Sequence, residues 1–162
     1  MMLYHASNVE VAQPQIIRSS RMLDFGFGFY TTTNCEQAER FAKRVVERRG
    51  TGKPLINSYS FDADDAFGNC SLLRFEKADA DWLDFVAANR TGSYSGPSYD
   101  IVYGPVANDD VYRTINAYLG GFAERKTTIK NLLTRKLCDQ MVFTNEKALA
   151  FLRFAGVKEV LQ

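Results

Sequence analysis

The sequence predicts one α+β domain, and three observations carry that prediction. Its 162 residues, 46% hydrophobic and 24% charged, are enough to build a sizeable single core. Apolar residues recur at period two in some stretches and at helical spacing in others. The two kinds of stretch are interspersed without strand–helix–strand regularity, which disfavours a doubly wound sheet. No repeat, low-complexity tract or linker divides residues 1–162.

The elements follow in chain order. LYHAS at the N-terminus is predicted as a short strand, and a loop with Pro14 comes after it. In DFGFGFYTTT (24–33) the glycines suit a sharp turn or a close backbone approach, and FYTTT, aromatic and β-branched, reads as a strand. The stretch begins like a dinucleotide fingerprint, but the third glycine position is Thr31 and the preceding RSSRMLD is polar. From Asn34 to Gly50, residues Ala38, Phe41, Ala42, Val45 and Val46 fall at helical spacing. Thr33 with Glu36 fits a capping box there, and Gly50 and Gly52 end the helix. PLINSYSFD and SLLRFE are predicted strands, and DADWLDFVAANR is a helix presenting Trp82, Phe85 and Val86. After a Gly/Ser loop, YDIVYGPVA is a strand ending at Gly104-Pro105. Two helical segments follow, one with Val111, Ile115, Tyr118 and Leu119 on a stripe, the other with Ile129, Leu132, Leu133 and Leu137. Strand DQMVFT, helix NEKALAFLRFA, a stop at Gly156 and strand VKEVL close the chain.

Composition narrows the function classes. The formal net charge of +1 creates no global pull toward nucleic acid or membrane. No apolar run approaches a membrane span, and MMLYHAS lacks the parts of a signal peptide, so a cytoplasmic protein starting at Met1 is expected. Cys35, Cys70 and Cys138 have neither disulfide nor zinc spacing and read as reduced and structural, with a Cys nucleophile paired to His5 as the alternative. The basic run Arg40, Lys43, Arg44, Arg48, Arg49 and Lys53 is interleaved with Glu39 and Glu47, which suits a solvated helix face better than a phosphate patch. Asn108-Asp109-Asp110 suits a helix start at least as well as a metal or substrate site, and no metal is assigned.

Three short pieces stand out together: Tyr4-His5-Ala6-Ser7, Gly28-Phe29-Tyr30-Thr31 before a helix, and Asp139-Gln140-Met141-Val142-Phe143. Their order resembles the ADP-ribosyltransferase superfamily, in particular its histidine–tyrosine–glutamate branch. Over nearly its whole length the chain is similar to an uncharacterised bacterial family within that superfamily, which shares LYH, the D-F-G-x-G-F-Y-T segment and a stretch like FDIVYGPVANDDVYRTI, met here at residues 99–115.

The resemblance implies a split β-sheet core with an NAD cleft and flanking helices. It implies that His5 bonds a ribose hydroxyl, that the Ala6 backbone meets the nicotinamide carboxamide, and that Tyr30 stacks on the ring. Phe41, eleven residues on, supplies a second aromatic. The hydroxyl frequent in the family corresponds to Ala38, leaving that contact to Thr31, Thr33 or Ser7, and Gly28, which opens the second piece, counts among the implied NAD-binding residues. The family glutamate corresponds to Gln140, which can orient a ribose hydroxyl but cannot take a proton. Strand alternation points the neighbouring Asp139 to the opposite face. On residue type alone, His5 reads more readily as a hydrogen-bonded core or edge residue than as a ligand contact, and Tyr30 and Phe41 equally as core aromatics.

The implied activity is mono-ADP-ribosyl transfer from NAD to an unidentified macromolecule, protein or nucleic acid, in the manner of a toxin or effector. Segment 108–137 is the candidate for target choice. The alternative is a catalytically weak or inactive NAD-binding module of a toxin–antitoxin or defence pair with an antitoxin-like partner. NAD hydrolysis is the third reading.

Overall fold

The computed structural model describes residues 1–18, 23–106 and 109–161, and of Asp109 only the backbone. It is a mixed α+β structure with two sheets. β1 (Met2–Ser7), β3 (Leu55–Phe61) and β7 (Leu152–Glu159) form a three-stranded antiparallel sheet in the order β1-β3-β7. β2 (Phe29–Thr31), β6 (Asp139–Phe143), β5 (Ile101–Pro105) and β4 (Leu72–Arg74) form the other, in the order β2-β6-β5-β4, with β4 and β5 parallel.

Among the described residues the sheets are joined by one isolated bridge. Tyr4 and Thr32 exchange both backbone hydrogen bonds, at 2.9 and 3.0 Å, and β1 and β2 then diverge. Side chains opposite each other in an antiparallel pair share a face. Tyr4 and Ala6 therefore lie on the same side of the split sheet as Thr32, Tyr30, Val142 and Gln140, whereas Leu3, His5, Phe29, Thr31, Met141 and Phe143 lie on the other.

That second side is the main core. Leu3, Tyr59 and Phe61 of one sheet pack against Phe29, Ile101, Met141 and Phe143 of the other. It is closed by α2 (Ala63–Asn69) through Ala66 and by α6 (Glu146–Leu149) through Ala148 and Leu149. The first side is covered by helices at both ends. α1 (Cys35–Arg49) lays Ala38 and Ala42 on Ile56, Tyr4 and Ala6. α3 (Ala80–Thr91), α4 (Asp109–Leu119) and α5 (Arg125–Leu133) bury Trp82, Leu83, Val86, Val111, Ile115 and Leu132 against Val102 and Val142. On this face Tyr4 and Ala6 of β1 belong to the α1 cluster, and Tyr30 of β2 and Val142 of β6 to the α3–α5 cluster.

Several expectations are corrected. The α1 cap is Asn34, whose side chain accepts from Gln37 N at 2.8 Å, because Thr33 is engaged by Asp139 instead of forming a capping box. Segment 145–155 is not one helix: a single turn, α6, gives way to β7, which runs through Gly156. Gly156, at φ 134°, sits two residues from the partner of Tyr59, where the β3–β7 register slips, so it serves an irregular strand and stops no helix. The α5 stripe ends at Leu133, half-exposed, leaving Leu137 beyond the helix. Helix α2 lacks a counterpart in the sequence reading. Asn108, where a cap was expected, lies outside the described residues, as does the Asp109 side chain. The cysteines are free thiols. Among the described residues no helix is long and apolar enough to cross a membrane, and no group of three or more His, Cys, Asp or Glu could hold a metal.

Candidate functional site

His5 sits where β1 and β2 part. Tyr30 has the same strand parity as Thr32, so its carbonyl points toward β1, and His5 Nδ1 meets that carbonyl at 2.7 Å in place of a backbone partner. A carbonyl can only accept, which fixes the proton on Nδ1 and leaves Nε2 as an acceptor. Burial lowers the His5 pKa and outweighs the Tyr30 carbonyl, keeping the ring neutral. The ring stacks on Phe29, centroids 4.3 Å apart.

Tyr30 turns the other way. Its hydroxyl accepts from Phe25 N at 3.0 Å and donates to Gly26 O at 2.7 Å, pinning the turn that leads into β2. Burial raises its pKa well above the phenol range. His5 and Tyr30 thus meet through the Tyr30 backbone, with their rings on opposite faces of β2. Gly28 is dictated by packing: a Cβ there would lie 2.5 Å from Val142 Cγ1 and 2.7 Å from Phe143 O. The glycine lets β2 close onto β6.

The remaining predicted contacts divide between the two faces. Thr31 is buried and spends its hydroxyl on Met141 O at 2.9 Å. The Ser7 hydroxyl accepts from Val9 N at 3.3 Å, and Ala6 packs beneath α1. Gln140, only 5% exposed, shares its face with Tyr30, and its Nε2 has no hydrogen-bond partner. Such an orphaned donor is uncommon in a folded chain.

Phe41 is 47% exposed and lies off the buried stripe of α1. The side on which it lies follows from helix geometry. Glu39 reaches Lys158 of β7 at 3.0 Å, so that flank of α1 faces the outer strand of its sheet. At 100° per residue, Gln37 and Phe41 occupy the opposite flank, beside the split and the face of Tyr30 and Gln140. Gln37 Oε1 is also buried without a partner.

Two hubs escaped sequence reading. Asp139 accepts from Thr32 Oγ1 and Thr33 N on one oxygen, both at 2.9 Å, and from Thr33 Oγ1 and Tyr103 on the other. It fastens the start of α1 to β6. The Thr32-Thr33 pair ahead of the helix was its one sequence signal. Arg90 donates to Asp24 from Nε at 2.5 Å, with side chains only 9% and 15% exposed, and lies over the Tyr112 ring. This pair ties the turn before β2 to α3 and α4.

The basic run of α1 is largely engaged. Arg49 donates to Asn8 Oδ1, Arg40 forms a loose ion pair with Glu36 at 4.0 Å, and Lys53, past the end of α1, donates to Glu159, as a solvated or tethered helix face would. Two cavities lie away from the split. One of about 590 Å³ is bordered by Phe61, Asp62, Asp65, Phe151 and Arg153, and one of about 180 Å³ by Phe67, Leu72, Arg74, Tyr103 and Met141. Neither is lined by His5, Tyr30, Phe41 or Gln140.

One face thus carries the orphaned Gln140 amide donor and the Tyr30 ring, which packs against the helical core, with Phe41 on the near flank of α1, while the neutral imidazole lies on the opposite face. Comparison with known proteins adds the lineage. No match was found among curated proteins or among solved structures. Residues 1–154 match the model of a family described as protein of unknown function (DUF3990), and the chain belongs to that family.

Proposed function

We propose that the protein binds NAD at the split between the two sheets and transfers ADP-ribose from it to a macromolecule, releasing nicotinamide. The observation that carries this reading is the buried, unpartnered amide of Gln140 on the same face as Tyr30 and beside the α1 flank that bears Phe41. A buried donor without a partner costs about 1–3 kcal/mol, a deficit that a ligand hydroxyl would remove. In this reading the nicotinamide lies between Tyr30 and Phe41, and Gln140 holds the reacting ribose. His5, whose ring stacks on Phe29 on the opposite face of β2, acts in this reading through the Tyr30 backbone, which it holds from Nδ1. The two sheets and flanking helices are compatible with this reading, in which the fold is an ADP-ribosyltransferase-like core.

One observation favours a second reading, a binding module without turnover. The carboxylate nearest Gln140 in sequence, Asp139, faces the other way and is saturated by Thr32, Thr33 and Tyr103. No base on β6 is left to activate an acceptor.

Nicotinamide release from NAD, with and without cell lysate, separates the readings. A transferase releases nicotinamide only with lysate and transfers labelled ADP-ribose to it, and Gln140→Ala lowers turnover by about ten- to a thousandfold. A hydrolase is indifferent to lysate, and a binding module releases none. Absence of NAD binding by calorimetry at millimolar ligand refutes the site itself.

A further inference from the structure

We infer that Gln37 is the residue that reads the nicotinamide carboxamide, a role that rests on the NAD reading above and adds a residue to it. Three observations lead there. Gln37 Oε1 is shut off from solvent and has no hydrogen-bond partner, so the structure holds an acceptor as well as a donor in want of a ligand. Gln37 lies one turn before Phe41 on the same flank of α1, a spacing that puts side chains about 5–6 Å apart. The backbone of Gln37 is fixed by the Asn34 cap at 2.8 Å, in the turn that Asp139 fastens to β6 through Thr32 and Thr33.

The chemistry then assigns the partner. Nicotinamide has one polar substituent on its ring, the carboxamide, and a group one turn along the helix from the stacking aromatic meets that substituent. Gln37 Oε1 can only accept, so it takes the amide N–H of the ligand. Gln140 Nε2 can only donate, so it takes a ribose oxygen. The neighbouring position on the helix cannot serve, because Ala38 is buried against Ile56 and has no polar atom on its side chain.

The test is a cycle of two ligands and two proteins, read by calorimetry, with ADP-ribose as the ligand that lacks the ring. The ligands are NAD and its 3-acetylpyridine analogue, which keeps the carbonyl but has no N–H to donate. The wild type should bind NAD about tenfold more tightly than the analogue, the worth of one such hydrogen bond. Gln37→Met, which keeps the chain length and removes the acceptor, should bind both alike and weaken NAD about tenfold while leaving ADP-ribose unchanged. Gln37→Glu, which keeps an acceptor, should restore the preference for NAD. A Met variant that distinguishes the two ligands as well as wild type overturns the assignment. So does one that loses NAD and ADP-ribose equally, since that marks a structural role. If wild type binds neither NAD nor ADP-ribose, the NAD reading fails first and takes this inference with it.

Discussion

Replacing Gln140 with methionine should make the ligand-free protein more stable, which is the opposite of what most core substitutions do. Gln140 is 5% exposed and its Nε2 is unpartnered, so the folded chain carries the desolvation cost of that group, about 1–3 kcal/mol. Methionine has nearly the same length and volume, has no donor to orphan, and adapts to irregular gaps. Allowing for imperfect packing, a net gain of about 1 kcal/mol raises the melting temperature of a chain this size by about 2–4 °C. Gln140→Glu should act with the opposite sign. An unpartnered buried carboxylate has a raised pKa, so this variant is most stable below the ordinary Glu range and loses stability as pH rises through the raised value. In the presence of NAD the order inverts. The methionine variant should bind NAD less tightly, and the glutamate variant should cleave it faster if charge is all the site lacks. Scanning calorimetry of the three apo-proteins from pH 5 to 8 reads the stability half. A methionine variant that melts several degrees below wild type would mean that the Gln140 amide is satisfied in solution, and the argument from its orphaned donor would be wrong.

Asp139→Asn leaves one accepting oxygen where two now receive Thr32, Thr33 and Tyr103, and should cost about 2–4 kcal/mol, lowering the melting temperature by about 6–12 °C. A variant that melts within 2 °C of wild type, as a rough bound on that scale, would remove Asp139 as the anchor of α1. Asp100 has its pKa depressed to about 2, first by the Ser71 backbone N–H and then by Asn145, with Lys147 adding to both. Because the folded value lies below the unfolded one, its contribution is whole above about pH 4 and is lost as pH falls toward 2. With the side chain 18% exposed, we discount the contribution to about 1–2 kcal/mol. Acid titration of wild type against Asp100→Asn should show a shallower slope for the variant in that window, and identical slopes would refute it.

The parts of the fold that were legible in the sequence are those where local pattern and tertiary role agree. β1, β3, β5 and β6 alternate or run apolar as buried strands do, and α1 and α3 carry apolar residues at helical spacing and end at the left-handed glycines Gly50 and Gly92. The failures come where they disagree. AlaLeuAla in 148–150 and the following apolar residues favour a helix intrinsically, yet β3 offers a full edge from Leu55 to Phe61, and pairing with it outweighs propensity in 152–159. Helix α2 is seven residues long, contains Gly68, and is held by the Asp62 cap and one buried alanine, too little pattern to detect.

The site was legible as a set of residues but not as a geometry. Period-two alternation says which neighbours in one strand share a face, but relating β1 to β2 requires knowing which residues bridge. The Tyr4–Thr32 bridge sends Tyr30 toward Gln140 and His5 toward Phe29, so the imidazole reaches Tyr30 through a carbonyl that has no signature in the sequence. Gln37 was silent for a related reason: a glutamine in the first turn of a helix is ordinary, and only the burial of its unpartnered oxygen sets it apart. A residue recruited for what it leaves unsatisfied can be recognised only after every other polar group nearby has been paired. Around this split such pairs are made by Asp139, Tyr30 and Thr31, while among the described residues Gln37 Oε1 and Gln140 Nε2 stay buried without a partner.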